Sequence, residues 1–501
     1  MPLEPYINAN TSDLWSDNVK KILKEKEISV DRLEQDFRQI SFPWSSTYDR
    51  DRQYFSIRIQ QRPLFIIKPT TIKEIEKALN FVHKKNLTVR ICGGRHSTQL
   101  LSPEVLIDMA NFNNISYTDK HLIVQAGATQ GQANEFIFKN KNLNCHSHFG
   151  RHTHSSAYPG GSAQTVGVGG ISTVGGIGAL RRKFGLTVDS IVSFVITIPP
   201  SNESNAKTIT VTQDNNHSDL FWALCGGGGN NFGVISEITY VLFEVDDVIR
   251  YDISWSINQD KNEATKQQIQ SVIDLWFSTA TARPNEFTEE VNIFYKKAQN
   301  QVGVALDGFY VVPKGQSDED AIKIVKETLG YLGGTLVIDP STKYSHLYKN
   351  MVNSRVYHNF SILQGVFTDT LHSKLIADQI IAGSNLNGDI IIEYELLGGQ
   401  IKEATTGAFG FRNKNYFLNV NCLWDNLVDT QKQELWLNNF TREIVTSNDN
   451  GVYLAFPITF TDIPHTNKIY YGENYDRLKE VRNKYDPSNV LQYSGTIFNK
   501  D

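Results

Sequence analysis

Tyr158-Pro-Gly-Gly-Ser-Ala-Gln-Thr-Val-Gly-Val-Gly-Gly-Ile-Ser-Thr-Val-Gly-Gly-Ile-Gly-Ala-Leu-Arg-Arg-Lys-Phe-Gly185 is the stretch that decides the architecture, together with Arg90-Ile-Cys-Gly-Gly-Arg-His-Ser97 upstream of it. Glycines at 160, 161, 167, 169, 170, 175, 176 and 178 leave the backbone N–H groups bare. Turns of this composition point those donors at an anion and let a flat ring lie against the main chain. The shorter turn, Gly93-Gly94-Arg95-His96-Ser97, presents a single histidine. Two such turns suit a large cofactor that carries a pyrophosphate and an aromatic system, and flavin is the reading they favour.

Composition bounds what surrounds these turns. A chain of 501 residues, 40% hydrophobic and 21% charged, is globular and long enough for two or three domains. The net charge of −5 and the lack of a long basic run argue against a nucleic-acid partner. Cys92, Cys145, Cys225 and Cys422 are dispersed without paired spacing, which is neither a disulfide framework nor a zinc site. No basic region followed by an apolar core opens the chain, and no apolar run approaches the roughly 20 residues that span a bilayer. The expectation is a cytoplasmic protein without a membrane span, in which sequons such as Asn114-Ile-Ser116 and Asn359-Phe-Ser361 are incidental.

Periodicity divides the chain. Thr71-Ile-Lys-Glu74 is a capping-box signature, and Ile72, Ile75, Leu79 and Val82 mark the inner face of the helix it starts. Leu87–Ile91 reads as a strand running into the Gly93-Gly94 turn, followed by strands at His121–Ala126, Val188–Ile198 and Phe232–Phe243. From about residue 247 to 445, helices marked by Ile269, Val272, Ile273 and Trp276, and by Ala321, Ile324, Val325 and Leu332, alternate with strands at Val302–Val312, Asp389–Glu395 and Tyr416–Trp424. That pattern is a helix-covered antiparallel sheet. Asn474 to Leu491 contains a helix stopped at Asp486-Pro487.

Four motifs in order then carry a family resemblance: Gly93-Gly-Arg-His-Ser97, Thr165-Val-Gly-Val-Gly-Gly170, Asp219-Leu-Phe-Trp-Ala-Leu-Cys-Gly-Gly-Gly-Gly-Asn-Asn-Phe-Gly-Val234, and Tyr471-Gly-Glu-Asn-Tyr-Asp-Arg-Leu478 through Tyr485-Asp-Pro487. From about Arg62 to Phe498 the chain resembles the berberine-bridge-enzyme-like FAD-linked oxidases of the vanillyl-alcohol oxidase and p-cresol methylhydroxylase superfamily. The resemblance implies an α+β fold: a two-lobed FAD-binding domain of the p-cresol methylhydroxylase type, and a substrate domain whose antiparallel sheet is covered by helices. The expected boundaries are an N-terminal extension at 1–60, the FAD domain at 61–246, the substrate domain at 247–445, and a C-terminal segment at 446–501 returning to the FAD domain.

The same resemblance assigns roles. His96 matches the histidine that such enzymes often join to the flavin 8α-methyl, a bond that raises the redox potential. Many relatives add a second bond through a cysteine two residues before the threonine of Thr165-Val-Gly-Val-Gly-Gly170; here that position is Ala163, so the expectation is FAD linked through His96 only. Gly93, Gly94, Arg95, Ser97, Gly161, Thr165, Gly167, Gly169, Gly170, Gly228, Gly233, Val234, Ile235 and Asn474 are the other expected cofactor residues. Val166 stands where the family gates oxygen. Glu403, in Leu397-Gly-Gly-Gln-Ile-Lys-Glu403, resembles the family's catalytic base, although Arg412 follows about two residues early. Tyr453 is the substitute for that base, in a segment where Ala455 replaces the usual asparagine. A carboxylate in an apolar cleft would have its pKa raised toward a useful value.

Other features weigh less. His146, His148, His152 and His154 pair two apart and could share a metal, but no suitably spaced carboxylate or cysteine completes a set, and no metal is expected. Gly226–Gly229 lacks the strand-before, helix-after context of a dinucleotide fingerprint. Tyr295, Tyr310, Tyr357 and Trp424 are candidate sugar platforms, yet aromatics at strand spacing are more often core. Three functions stay open: an oxidase passing hydride equivalents from a hydroxylated small molecule to O₂, a dehydrogenase with another acceptor, and a flavin-binding protein without turnover. Oligomeric state is not legible.

Overall fold

Phe65–Ile67, Val89–Cys92 and Val105–Asp108 are short β-branched or apolar runs that pair in parallel, with Ile40–Ser41 added antiparallel at the edge. In this computed structural model, residues 9–97, 103–118, 120–140, 155–245, 247–343, 360–446, 450–460 and 468–491 are described. The helix Ile72–Lys84 covers this first sheet, with Ile75, Ala78, Leu79 and Val82 fully buried. Its cap is Thr71, whose hydroxyl accepts from Glu74 N–H at 3.3 Å. Two expectations there are corrected. Ile72, at the first position of the helix, is exposed. The Glu74 carboxylate does not close a capping box; it accepts from Thr70 N–H and Arg38 N–H instead.

The second sheet has five antiparallel strands in the order Ile115–Tyr117, His121–Gln125, Val234–Val241, Ile191–Ile198 and Lys207–Thr212. Residues 188–190, expected to begin a strand, belong instead to the 3₁₀ turn Thr187–Ser190. The third sheet has eight antiparallel strands, ordered Thr335–Lys343, Asp247–Trp255, Gln301–Val311, Phe287–Lys296, Gly388–Leu396, Tyr416–Trp424, Phe360–Thr368 and Gly451–Val452. Helices Glu263–Ala280, Asp318–Leu329, Ser373–Gly383 and Thr430–Val445 pack on it. Strand alternation sends Val291, Ile293, Ile390 and Ile392 into the core, and leaves Glu290, Asn292, Glu393 and Glu395 for the other face.

Two distant segments close the molecule. The helix Tyr475–Tyr485 packs on helix Ser218–Leu224, and Val490 and Leu491 sit in the same core as Val19, Phe65 and Val105. Asp486 holds that return by accepting from Val490 N–H at 2.8 Å and Leu491 N–H at 3.0 Å.

The glycine segment is bolted to the large sheet at its basic end. Arg181 donates to Leu396 O at 2.9 Å and Glu289 O at 3.0 Å, and Arg182 to Leu397 O and Arg283 O. Beneath them lies Glu289, fully buried, accepting from Arg283 Nε at 2.9 Å and Trp276 Nε1 at 2.7 Å. Removing one partner of such a pair leaves an uncompensated buried charge. Glu289→Ala is therefore expected to cost about 3–5 kcal/mol in a denaturant melt. A cost under about 1 kcal/mol would show that Arg283 finds water in its place.

Candidate active site

The two glycine turns meet backbone to backbone. A Cβ on Gly94 would lie 2.1 Å from Gly167 N and 2.7 Å from Thr165 O, so no other residue fits there. A Cβ on Gly167 would reach Gly94 N at 2.3 Å. A third loop joins them through Asn230, whose side chain accepts from Ile91 N–H at 2.6 Å and donates to Ile91 O at 3.2 Å. These three loops form one wall of a cavity of about 1370 Å³. The opposite wall is the free face of the large sheet. Ordinary small-molecule sites occupy roughly 300–1,000 Å³, so this one has room for a dinucleotide and a substrate together.

Arg95 adopts a left-handed backbone (φ +55°), unusual for a side chain of its size, and its guanidinium pairs with the buried Asp108. That pairing turns His96 toward the cavity. The His96 ring stacks on Phe55 at 4.1 Å and its Nε2 lies 2.6 Å from Thr165 Oγ1. The surrounding walls strip it of water and push its pKa down to about 4. It is therefore a neutral imidazole over the physiological range, with a ring nitrogen lone pair available.

The residues present fit an FAD. Gly170 opens onto the cavity with nothing within 4 Å of where a Cβ would stand. Asn231, 5% exposed, directs an Oδ1 with no partner among the described residues. Such buried polar atoms are expected to be satisfied by a ligand. Ala163 lines the cavity without a thiol. Cys92 lines it too, but burial pushes its thiol up to about 12, which leaves it unreactive.

Among the expected site residues, Gly93, Gly94, Arg95, His96, Ser97, Gly161, Thr165, Val166, Gly170, Gly228 and Tyr453 line the cavity. Others shape it from behind. A Cβ on Gly169 would meet Ala126 O at 2.9 Å and one on Gly233 would meet Thr197 O at 2.5 Å, while Val234 and Ile235 are core residues of a strand. Asn474 donates to Ala408 O at 3.1 Å, tying down the C-terminal return. His146, His148, His152, His154 and Tyr357 lie outside the described residues. Tyr310 and Trp424 are buried in the core rather than offered as platforms; Tyr295, also buried, borders the cavity.

Glu403 is the main correction. It is exposed on the short helix Gln400–Glu403, where burial of Ile401 turns the next two side chains outward, and it does not line the cavity. Arg412 does not line the cavity either: it pairs with Asp189 at 2.6 Å and donates to Thr406 O at 2.7 Å. Among the described residues, the carboxylates that do face the cavity are Glu290, Asp307, Asp389, Glu393 and Glu395. Asp389, Glu393 and Glu395 stand on one strand at period two, a signal visible in the sequence but assigned there only to a strand. Phe55 and Tyr54, from the N-terminal extension, also line the site and were not anticipated.

Tyr453 sits in an aromatic cage of Phe367, Phe417 and Phe456, with its hydroxyl accepting from Gly176 N–H at 3.1 Å. Burial, reinforced by the charge of Glu395, raises its phenol pKa well above the ordinary value. Glu395 itself is reached by Arg181 at 3.2 Å. A protonated phenol, a carboxylate and a glycine-lined cofactor wall thus share one cavity.

Comparison with known proteins agrees with this geometry. Residues 63–200 match the FAD binding domain family and residues 458–497 the family described as berberine and berberine like. An uncharacterised FAD-linked oxidoreductase, YgaK of Bacillus subtilis, is 25% identical over 461 residues, covering 90% of this chain and 94% of the relative. Berberine bridge enzyme-like 21 of Arabidopsis thaliana is 23% identical, covering 88% of this chain and 84% of the relative. The solved structure of a chitooligosaccharide oxidase superposes with a TM-score of 0.77 at 18% identity, covering 96% of this chain and all of that one.

Proposed function

We propose that this chain, which belongs with the berberine-bridge-enzyme-like FAD-linked oxidoreductases, oxidises a hydroxylated small molecule of the sugar class and passes the electrons to O₂, releasing H₂O₂. The observation that carries the reading is the placement of Tyr453 and the carboxylate-bearing sheet opposite the glycine loops of a single cavity. Bound FAD supplies the acceptor for a hydride from the substrate carbon. Gly93, Gly94, Gly161, Gly170 and Gly228 leave the wall flat enough to hold it, and His96 is the covalent anchor we assign, since among the described residues neither Ala163 nor the buried Cys92 thiol can serve.

Loss of a hydride from a carbinol carbon is assisted when the adjacent hydroxyl gives up its proton. A phenol held protonated takes that proton only by handing on its own, and Glu395, whose charge bears on Tyr453, is the acceptor we assign. The Phe367, Phe417 and Phe456 cage excludes water from this relay. Val166, small and facing the cavity, leaves space for O₂ beside the cofactor wall. The sugar class is favoured because polar side chains, not aromatic ones, dominate the sheet wall, and it accords with the chitooligosaccharide oxidase that shares the fold.

The test is anaerobic titration of the purified yellow protein with neutral and amino oligosaccharides, aromatic alcohols and amines, following loss of the visible flavin absorbance. Bleaching by saccharides, with peroxide on readmitting air, is the expected outcome. Recovery with an artificial dye but not with air would make the chain a dehydrogenase. A bound flavin that none of these compounds bleaches would sink the proposal.

A further inference from the structure

Among the described residues, Phe55 and Thr165 hold the His96 ring from two sides. One face stacks on Phe55, with centroids 4.1 Å apart and planes 23° from parallel. At the edge, Nε2 lies 2.6 Å from Thr165 Oγ1. A neutral imidazole carries one N–H and one lone pair, and the hydrogen bond made by one nitrogen decides which of them the other keeps. With Thr165 Oγ1 accepting from Nε2–H, the lone pair is fixed on Nδ1.

Phe55 is itself braced. Its N–H donates to Arg95 O at 3.0 Å, which ties it to the turn that carries His96. Beside it, the Arg90 guanidinium lies over the Tyr54 ring at 5.1 Å. On the other side, Ser56 Oγ donates to Ser361 O at 2.8 Å and accepts from Ser361 N–H at 3.1 Å, on the strand Phe360–Thr368 of the large sheet. Arg58 pairs with Glu434 on the helix Thr430–Val445. Tyr54, Ser56 and Arg58 are buried, whereas Phe55 is half-buried and lines the cavity. The segment thus straps the cofactor lobe to the substrate sheet and turns one flat ring toward His96.

We propose, resting on the His96 anchor assigned above, that Phe55 and Thr165 are positioning residues for covalent attachment of the flavin: Phe55 sets the plane of the His96 ring and Thr165 sets its tautomer. In the attachment step the Nδ1 lone pair forms a bond to the flavin 8α-carbon. One methyl proton and the Nε2 proton depart, the latter toward Thr165. The C–H electron pair passes into the flavin and on to O₂, which takes up two protons and leaves as H₂O₂. A ring that turns freely, or whose lone pair sits on the wrong nitrogen, spends little time in the reactive pose.

The experiment times flavin attachment in the full chain purified from riboflavin-limited cells, native and as Thr165→Val, Thr165→Ser, Phe55→Leu and Phe55→Tyr. Each is mixed with excess FAD in air, desalted at intervals to give total bound flavin, then acid-precipitated to give the covalent fraction. Thr165→Val and Phe55→Leu are each expected to slow attachment about tenfold or more. Thr165→Ser and Phe55→Tyr, which keep the hydroxyl and the ring, are expected to stay near the native rate. Total bound flavin is expected to hold in all four, which separates lost positioning from lost cofactor binding or lost fold. A native rate in Thr165→Val or in Phe55→Leu overturns that residue's role. A Thr165→Ser as slow as Thr165→Val, or total flavin falling in step with the covalent fraction, overturns the proposal. Native flavin found in the supernatant, or on a peptide without His96, overturns the anchor itself and the proposal with it, so the two failures are told apart.

Discussion

His96→Ala is expected to shift the flavin from the acid-precipitated protein to the supernatant, whereas the native protein is expected to keep its colour in the pellet. Peptide mapping of the native pellet should find the flavin on the peptide containing His96 and on no cysteine. The geometry explains both halves. His96 is a neutral imidazole facing the cofactor wall, oriented by Phe55 on one side and Thr165 on the other. Among the described residues the cavity holds no competing thiolate, because Ala163 occupies the one position and burial silences Cys92 at the other. Losing the link removes its electron-withdrawing effect on the ring and lowers the redox potential. Turnover of FAD-reconstituted His96→Ala is therefore expected to slow on the order of tenfold or more, through kcat rather than KM. Flavin that stays in the pellet of the variant would place the anchor elsewhere.

Tyr453→Phe is expected to reduce kcat on the order of 10²–10⁴-fold, the usual contribution of a positioned proton-transfer group, while flavin content is unchanged. Substitution also leaves Gly176 N–H without its acceptor, so a melt should register a loss of about 1–3 kcal/mol. That loss is structural and cannot by itself account for a rate effect confined to kcat. Because burial holds the phenol protonated well beyond the ordinary tyrosine range, the native rate should show no alkaline fall from Tyr453 ionisation near neutral pH. A variant with near-native kcat would mean that the substrate proton goes straight to a carboxylate, and Glu395→Gln would then carry the defect.

The cofactor wall was legible because its demands are local. A glycine is required wherever backbone touches backbone, as at Gly94 and Gly167, and that requirement is written residue by residue. Helix faces were equally readable from period 3.6, apart from ends such as Ile72, which is exposed. The substrate wall was harder, because a strand's alternation says which residues share a face without saying what the face meets. Asp389, Glu393 and Glu395 were in plain view within an assigned strand, yet the base was sought after the Gly398-Gly399 turn, at Glu403, when the carboxylates of the cavity precede it. Phe55 was missed for a related reason: nothing near it in the chain shows that residues before 60 return to stack on a histidine 41 positions later.

The core shared by Val19, Phe65, Val105, Val490 and Leu491 has a bearing on biogenesis. Its first sheet is made well before its last wedge, Val490 and Leu491, and the whole large sheet is translated in between. The nascent lobe must wait, with apolar surface uncovered, until the whole intervening sheet has been made. Contacts so far apart in sequence fold slowly and expose intermediates to aggregation. Cofactor capture by a finished lobe thus waits until Leu491 has been made, and a truncation before that residue leaves the first core uncovered.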